Sequence, residues 1–242
     1  MKNFIGLLQI SLLILVSGTV SAEGPLQLYY SERIPYAVAD DTGSVEGLTA
    51  TPAADAFKRA DIPFEWKQMP FKRQLATLKY NKKKACGIGW FKNPEREAFA
   101  RFTHAIYRDR PSITISAKGN DGVAKHRDVV GLLQDKGIRL LVKDGFSYGA
   151  YIDEQIQRHL PESLVVVGSS NIQMLDILLS GRADYLFVSE EEASKMISSS
   201  GHAISQFQLN SYSDMPPGNH RYIACSQQVP NDTIDKLNLA ME

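Results

Sequence analysis

The sequence predicts an α/β protein built as two similar lobes, each a mostly parallel sheet flanked by helices. Short β-rich runs alternate with segments of helical period, and that alternation favours parallel strands covered on both faces. A leucine pattern before one predicted strand, Gln74-Leu75-x-x-Leu78, returns before another as Met174-Leu175-x-x-Leu178. We interpret the repeat as two lobes of one design. A single continuous doubly wound sheet is the alternative, because strand number alone does not separate the two.

The first lobe contains three predicted strands with a helix in each interval. One helix presents Ala53, Phe57 and Ala60 on a single face, and the next presents Leu75 and Leu78, both at the 3.6-residue period. In chain order these elements are strand Leu26–Tyr30, helix 51–60, strand Phe64–Gln68, helix Phe71–Tyr80 and strand Ala85–Trp90.

The second lobe repeats this order, and two crossover segments connect it to the first. Its predicted elements are strand 139–142, helix 148–159, strand 164–168, helix Asn171–Leu179 and strand 185–188. The chain is expected to cross at strand 113–117 and again within 209–218, where two prolines and a glycine break any regular element. Strand 222–225 and helix 231–241 then return, so lobe 1 covers 23–115 with 213–242, and lobe 2 covers 116–212.

The N-terminal residues 1–22 have the pattern of a secretory signal. Lys2 supplies the basic region, residues 4–16 the apolar core, and Val20-Ser21-Ala22 a cleavage site after Ala22. The apolar core is short for a bilayer-spanning helix, although an N-terminal membrane anchor is the alternative. Export to the periplasm is therefore expected.

Charge gives no indication of a nucleic-acid partner. The chain has 27 basic and 27 acidic residues, and loss of Lys2 with the signal leaves a net charge of −1. The histidines His104, His126 and His159 are scattered without metal-ligand spacing. We expect a monomer with no metal and no cofactor.

The segment that follows strand Ala85–Trp90 predicts an anion site. Asn93 is a favoured N-cap residue, and Pro94 suits the first position of a helix. Arg96 then lies in the opening turn, where an arginine fork suits a carboxylate. A solvated surface arginine is the alternative.

This strand, turn and Pro-Glu-Arg sequence resembles the ligand-carboxylate loop of bacterial solute-binding proteins of the polar-amino-acid group. These proteins are the capture subunits of ABC importers, and in them the arginine that matches Arg96 grips the ligand's α-carboxylate. The resemblance implies the two-lobed periplasmic-binding-protein fold, type II-like, with a two-strand hinge. It also implies a small ligand that carries a carboxylate and a membrane permease as partner.

Cys86 and Cys225 are the only cysteines of the chain. An even number in an exported protein makes one disulfide plausible, and the family topology implies that their strands are neighbours. Two buried free thiols are the alternative.

The turn Gly145-Phe146-Ser147-Tyr148-Gly149 is the second anion candidate, since it follows a strand and opens a helix. In the family, a serine or threonine that matches Ser147 shares the carboxylate with the arginine across the closed cleft. A simple N-cap is the alternative. The same turn also matches the G-x-S-x-G pattern of a hydrolase, with Ser147 as nucleophile, Asp184 as acid and His202 or His220 as base.

Aromatic residues near strand ends are expected to form the walls of the pocket. Neighbouring residues of a strand point to opposite faces, so one of Tyr29/Tyr30 and one of Trp90/Phe91 should line the cleft. The candidates for these walls are Tyr30, Tyr36, Trp90, Phe91 and Tyr148.

Two positions depart from the family pattern. Phe91 stands where relatives usually carry a small hydroxyl residue, and Ser189 stands where they carry an aspartate for the ligand's ammonium group. Glu190, next along the chain, is the candidate for a ligand cation, and an acidic first helical turn is the alternative. The resemblance therefore implies the carboxylate half of the site more strongly than the ammonium half.

Two other functions stay open. Some relatives, such as periplasmic dehydratases that act on cyclic carboxylates, use the cleft for catalysis. Here Glu190 or Glu191 would transfer the proton. A ligand-sensing module for a membrane receptor is the second.

Overall fold

The computed structural model describes residues 24–159, 163–168 and 170–242, so the predicted signal over 1–22 lies outside the described residues. Two five-stranded sheets form the centres of two lobes, and a two-stranded ribbon projects from the first. This arrangement confirms the predicted two-lobed α/β fold and excludes one continuous sheet.

The first lobe is formed by the N-terminal part of the chain. Its elements are β1 (Leu26–Tyr30), β2 (Val38–Ala39), β3 (Val45–Glu46), α1 (Ala50–Arg59), β4 (Phe64–Gln68), α2 (Phe71–Tyr80), β5 (Ala85–Trp90), α3 (Pro94–Glu97) and β6 (Ala100–Arg108).

The second lobe follows, and the last two elements return to the first. The elements are β7 (Ser112–Ala117), α4 (Asp121–Ala124), α5 (Val129–Gln134), β8 (Leu140–Lys143), α6 (Ala150–His159), β9 (Leu164–Val167), α7 (Asn171–Leu179), β10 (Tyr185–Ser189), α8 (Glu190–Ser199), the 3-10 turn Ile204–Gln206, β11 (Phe207–Asn210), β12 (His220–Ser226) and α9 (Asn231–Leu239).

The two sheets share one plan. The first has the order β4-β1-β5-β12-β6, and the second has the order β11-β7-β10-β8-β9. Each contains a block of three parallel strands, β4-β1-β5 and β10-β8-β9. The antiparallel pairings come from strands beside the crossovers, β6 and β12 in one sheet and β7 and β11 in the other.

The first crossover lies earlier than the sequence predicts. Strand β7 forms where a strand is expected at 113–117, but it pairs with β10 from Ser112 onward. The whole strand therefore belongs to the second sheet, and the chain changes lobe between Arg108 and Ser112. The alternating side chains Ile113 and Ile115 are buried in the second core, which explains why this strand joins that sheet.

Each lobe has its own apolar core, which holds the cleft-facing loops in place. In the first lobe, Leu28 of β1, Phe57 of α1 and Ile223 of β12 are fully buried together. In the second lobe, Ile115 of β7 and Leu175 of α7 are fully buried together. No helix within the described ranges is long and apolar enough to cross a bilayer.

Cys86 and Cys225 form a disulfide between neighbouring strands. The two residues are in register in the antiparallel pair β5 and β12, and both are fully buried. The predicted disulfide is therefore confirmed. It closes a chain segment of 139 residues, because β12 returns only after the second lobe is complete.

We expect the double substitution Cys86→Ala/Cys225→Ala to lower the free energy of unfolding by about 2–5 kcal/mol, since a disulfide that closes a long loop restricts the unfolded chain. Urea unfolding followed by circular dichroism measures the difference. Added reductant should destabilise the wild type by a similar amount and leave the double variant unchanged. Equal stability of both proteins would contradict the prediction.

Candidate ligand-binding site

Cavities lie between the two lobes, where loops after β1 and β5 face α7, α8 and the turn after β8. The largest has a volume of about 280 Å³ and is bounded by Arg33 and Phe71 on one lobe and by Lys143, Asn171 and Glu192 on the other. A smaller cavity of about 30 Å³ lies deeper and shares Arg33 and Phe71 as its wall. The deeper cavity is lined by Arg33, Phe71, Gly89, Trp90, Phe91, Arg96, Gly145, Phe146, Ser147 and Arg221.

Arg96 contributes a buried guanidinium to the deeper cavity. The side chain of Asn93 caps α3 by accepting from the Arg96 backbone N–H at 2.9 Å, as the sequence predicts. Arg96 is 8% exposed, donates from Nη1 to the Phe91 carbonyl at 2.9 Å and lies 4.9 Å from the Trp90 ring. Burial lowers the pKa of Arg96, against the opposing charges of Asp153 and Glu95. Among the described residues no carboxylate pairs with this guanidinium, so its charge is available to an anion.

Ser147 lines the same cavity from the opposite lobe. Its hydroxyl donates to Asp153 Oδ2 at 2.5 Å and accepts from the Gly149 N–H at 3.3 Å. The Tyr148 N–H donates to the other oxygen of Asp153 at 2.8 Å. The structure therefore places Arg96 and Ser147 at one cavity and shows that Asp153 orients the serine.

The hydrolase triad proposed from the G-x-S-x-G pattern is wrong. The Ser147 hydroxyl contacts Asp153 instead of an imidazole. Asp184 pairs with Arg139 at 2.9 Å, and His202 pairs with Asp176 at 2.7 Å. His220 packs against Tyr222, with ring centroids 6.4 Å apart. These groups occupy separate parts of the molecule, because the pattern describes a turn and carries no information about distant partners.

Trp90 and Phe91 both line the deeper cavity, although only one of them was expected there. Strand β5 ends at Trp90, so Phe91 lies outside the strand and the alternation of faces stops between them. The Trp90 ring packs edge-on against Phe71, with centroids 5.6 Å apart. Phe91 lies under the guanidinium of Arg221, 4.5 Å from its Cζ.

The expectation for the two tyrosines at the end of β1 is wrong. Tyr29 and Tyr30 are 3% and 6% exposed, and neither borders the cavities described above. The Tyr30 ring packs on Trp66 within the core of the first lobe. Both side chains are buried although they point to opposite faces of the strand, so alternation does not bring either ring to the cleft.

Tyr36 and Tyr148 contact charged residues of the cleft and line neither of the two cavities described above. The Tyr36 ring is 5.0 Å from the Arg33 Cζ and 4.0 Å from the Arg221 Cζ. The Tyr148 hydroxyl accepts from the Lys143 N–H at 2.8 Å, and burial raises its pKa to about 12. Both tyrosines therefore fix neighbouring groups of the cleft.

The acidic residue that enters the cleft is Glu192 and not the predicted Glu190. Glu190 is exposed at the first position of α8. Glu191 accepts from the hydroxyl of Tyr107 at 3.1 Å and from the Arg110 N–H, also at 3.1 Å. Glu192, one further step around the helix, is buried and faces the first lobe. The direction in which α8 leaves β10 decides which acid points inward, and the sequence does not contain that direction.

Arg33 and Glu192 form an ion pair between the lobes that sequence reasoning missed. Arg33 Nε and Nη2 donate to the two oxygens of Glu192, each at 2.6 Å. Asn171 Nδ2 also donates to Glu192 Oε1 at 2.9 Å. Burial opposes the charge of Arg33, but Glu192 outweighs it and raises the pKa of Arg33. The partners are 159 residues apart, and no local signal marks either of them.

A second buried ion pair lies at the crossovers. Arg221 of β12 donates from Nε to Asp109 at 2.6 Å, and both side chains are almost fully buried. Ser189 at the end of β10 donates to the other Asp109 oxygen at 3.0 Å. The Arg221 guanidinium lies between the rings of Tyr36 and Phe91. This network joins both lobes to the segment that connects them.

The deeper cavity has the chemistry of an anion site. Three arginines line it, Arg33, Arg96 and Arg221, and no carboxylate among the described residues does. Its volume of about 30 Å³ suits a small head group such as a carboxylate. No cluster of three or more His, Cys, Asp or Glu residues within the described ranges has metal-binding geometry.

Two α/β lobes with a polar cleft at their junction define a two-lobed binding protein. The chain belongs to the bacterial extracellular solute-binding proteins, family 3, whose model matches residues 28–236. The predicted family is thereby confirmed.

Solved structures share this fold at low sequence identity. An ancestral arginine-binding protein bound to arginine is 18% identical, with a TM-score of 0.69 over 90% of this chain and 91% of that chain. The arginine-, lysine-, histidine-binding protein ArtJ of Geobacillus stearothermophilus is 12% identical, with a TM-score of 0.68 over 90% and 87%. An arginine-specific periplasmic binding protein of Salmonella typhimurium is 15% identical, with a TM-score of 0.65 over 90% and 91%. No curated protein matches the sequence significantly.

Asp153 should make anion binding at this cavity dependent on pH. Burial raises the pKa of Asp153, so its proton is taken up at a higher pH than that of an ordinary carboxylate. As the pH falls through this raised pKa, Asp153 loses its negative charge while the ligand carboxylate is still ionised. The repulsion between the ligand carboxylate and Asp153 then disappears. We expect affinity for an anion to rise by about fivefold over that interval, the effect of roughly 1 kcal/mol from one nearby charge.

The substitution Asp153→Asn should give the higher affinity at neutral pH and a flat pH profile in calorimetric titration. Glu154→Gln is the control, because Glu154 is the next residue of α6 and its exposed side chain pairs with Arg158. A profile of Asp153→Asn that matches the wild type would contradict the prediction.

Proposed function

We propose that this chain captures a small solute with a carboxylate, an amino acid or a related organic anion, in the cleft between its lobes. Arg96 binds the carboxylate from one lobe and Ser147 meets it from the other. Trp90 and Phe91 pack against the body of the solute, and Tyr36 and Tyr148 hold the surrounding groups in place. Closure of the lobes by hinge motion about the two crossovers encloses it.

The observation that carries the proposal is the guanidinium of Arg96. It is buried at 8% exposure, and its only hydrogen-bond acceptor among the described residues is a backbone carbonyl. Burying an arginine without a carboxylate is costly, and a bound anion supplies the missing charge. The structural neighbours named above are binding proteins for arginine and related amino acids, which agrees with a ligand that carries an α-carboxylate.

Binding is favoured over catalysis in this cleft. The acids predicted to transfer a proton are poorly placed for it, since Glu190 is exposed and Glu191 already accepts from Tyr107 and the Arg110 N–H. Asp153 is held by Ser147 and Tyr148. A general acid or base needs a proton path to the substrate. Glu191 and Asp153 are instead hydrogen-bonded to neighbouring donors, and Glu190 is exposed outside the two cavities.

In the cell, the protein would act in the periplasm and deliver its solute to the permease of an ABC importer. Membership of an extracellular solute-binding family supports this assignment. A membrane sensor that recognises the closed, loaded form would use the same binding step. Delivery to a permease is distinguished from sensing by uptake of labelled solute in cells with and without the protein.

Arg96→Ala should weaken binding of the solute by at least tenfold, because truncation of one partner of a buried charge pair costs about 2–5 kcal/mol. A thermal-shift screen of residues 23–242 against amino acids and simple and aromatic carboxylates identifies the solute. Saturating solute should raise the melting temperature of the wild type and leave that of Arg96→Ala nearly unchanged.

Two variants complete this test. Arg96→Lys keeps the charge without the fork and should show a large part of the loss. Arg139→Ala removes a guanidinium from an exposed pair with Asp184 far from the cleft and should bind normally. Equal affinity of the wild type and Arg96→Ala would refute the site.

A further inference from the structure

The guanidinium of Arg33 is held in the cleft as a bound cation would be. Its Nε and Nη2 donate in parallel to both oxygens of Glu192 at 2.6 Å, the bidentate arrangement that is strongest for a guanidinium. The rings of Tyr36 and Phe146 lie 5.0 and 5.5 Å from its Cζ, within the range of cation–π attraction. Carboxylate and rings together form a complete guanidinium site.

Three of the four acceptor sites of the Glu192 carboxylate are already occupied. Oε1 accepts from Arg33 Nε and from Asn171 Nδ2, and Oε2 accepts from Arg33 Nη2. The Glu192 side chain is only 1% exposed, whereas that of Arg33 is 16% exposed and borders both cavities described above. Access to the carboxylate is therefore controlled by Arg33.

Positive groups outnumber negative ones among the remaining charged residues that line the two cavities. The exposed Glu32, which accepts from Gln68, is the one other carboxylate in either lining among the described residues. Lys143 Nζ lies 4.6 Å from the centre of the Phe146 ring and donates to Asn171 Oδ1 at 3.0 Å, with no carboxylate partner in the described part of the chain. Arg96 and Arg221 face the deeper cavity. A solute cation in the cleft would therefore lie near three positive groups and near only one carboxylate, Glu32, besides the one that Arg33 already holds.

We propose that Arg33 fills the cation site of the cleft from within, so that the protein selects anionic solutes and rejects those with a guanidinium or ammonium side chain. The inference rests on the proposed function, because it names the ligand class of the same cleft. An intramolecular group competes at a high effective concentration, so a solute cation must displace a partner that is always present. Arg33 is thus a specificity-determining residue.

The test compares binding of methylguanidinium and L-arginine to the wild type and to Arg33→Ala by calorimetry. We expect Arg33→Ala to bind both at least tenfold more tightly than the wild type, because Glu192, Tyr36 and Phe146 are then free to receive the added guanidinium. The gain should disappear in Arg33→Ala/Glu192→Gln. Arg139→Ala, which frees Asp184 outside the cleft, should show no gain.

Methylguanidinium has no carboxylate, so this result is independent of Arg96 and of whether the cleft binds carboxylates at all. If Arg33→Ala does not fold, Arg33→Gln, which keeps a hydrogen-bond donor to Glu192, takes its place in the same titrations. L-arginine binding to the wild type as tight as to the variant would overturn the proposal. A folded variant without the gain, or a gain that persists without the Glu192 charge, would overturn it as well.

Discussion

Compensation of buried positive charge is the constraint on which the arrangement of the cleft depends. A guanidinium taken out of water loses several kcal/mol of solvation unless a carboxylate and further acceptors replace it. Arg33 obtains Glu192 from the opposite lobe, and Arg221 obtains Asp109 from the crossover. The pair of Arg33 and Glu192 forms only when the lobes lie as they do here, so the contact that neutralises Arg33 also fixes the relative position of the lobes. Asp109 contributes to the same arrangement through the hydrogen bond that it accepts from Ser189 of the second lobe.

Aromatic rings connect these charged groups into one structure. Tyr36 lies beneath two guanidinium groups at once, 5.0 Å from the Arg33 Cζ and 4.0 Å from the Arg221 Cζ. Phe91 covers the far side of Arg221, and Phe146 covers the far side of Arg33. The negative faces of the rings add to the carboxylates in stabilising the cations. Tyr36 is therefore a shared neighbour of both ion pairs.

Arg96 differs from Arg33 and Arg221 because it has no carboxylate partner among the described residues. Arg33 and Arg221 are satisfied by the protein itself and shape the cleft. Arg96 has only the Phe91 carbonyl and the Trp90 ring, with the Asp153 charge nearby on the other lobe. Of the three arginines that line the deeper cavity in the described part of the chain, Arg96 alone lacks a carboxylate, so its charge is the one left to pair with the carboxylate of a solute.

The sequence alone determined those features that depend on neighbours along the chain. Residue periodicity reports which face of an element is buried, and it predicted strands β1, β4 and β5 and helices α1 and α2 to within a residue, but not the two-residue strands β2 and β3. Local capping chemistry predicted the turn at Asn93, and the repeated leucine pattern predicted the second lobe. Cys86 and Cys225 were placed correctly only with help from the family resemblance, since spacing alone left free thiols open.

Only the tertiary structure decided which charges meet in the cleft. Glu192 instead of Glu190 faces Arg33 because of the angle at which α8 leaves β10, and the two partners are 159 residues apart. Tyr30 is in the core instead of the cleft because its ring packs on Trp66 and on the apolar cluster beneath α1. Neighbouring residues along the chain determine whether a segment is a helix or a strand and which of its faces is buried. The relative position of the two lobes depends on many weak contacts between distant residues, so no short segment predicts it. The set of charged residues that meet in this cleft is therefore determined by the tertiary structure.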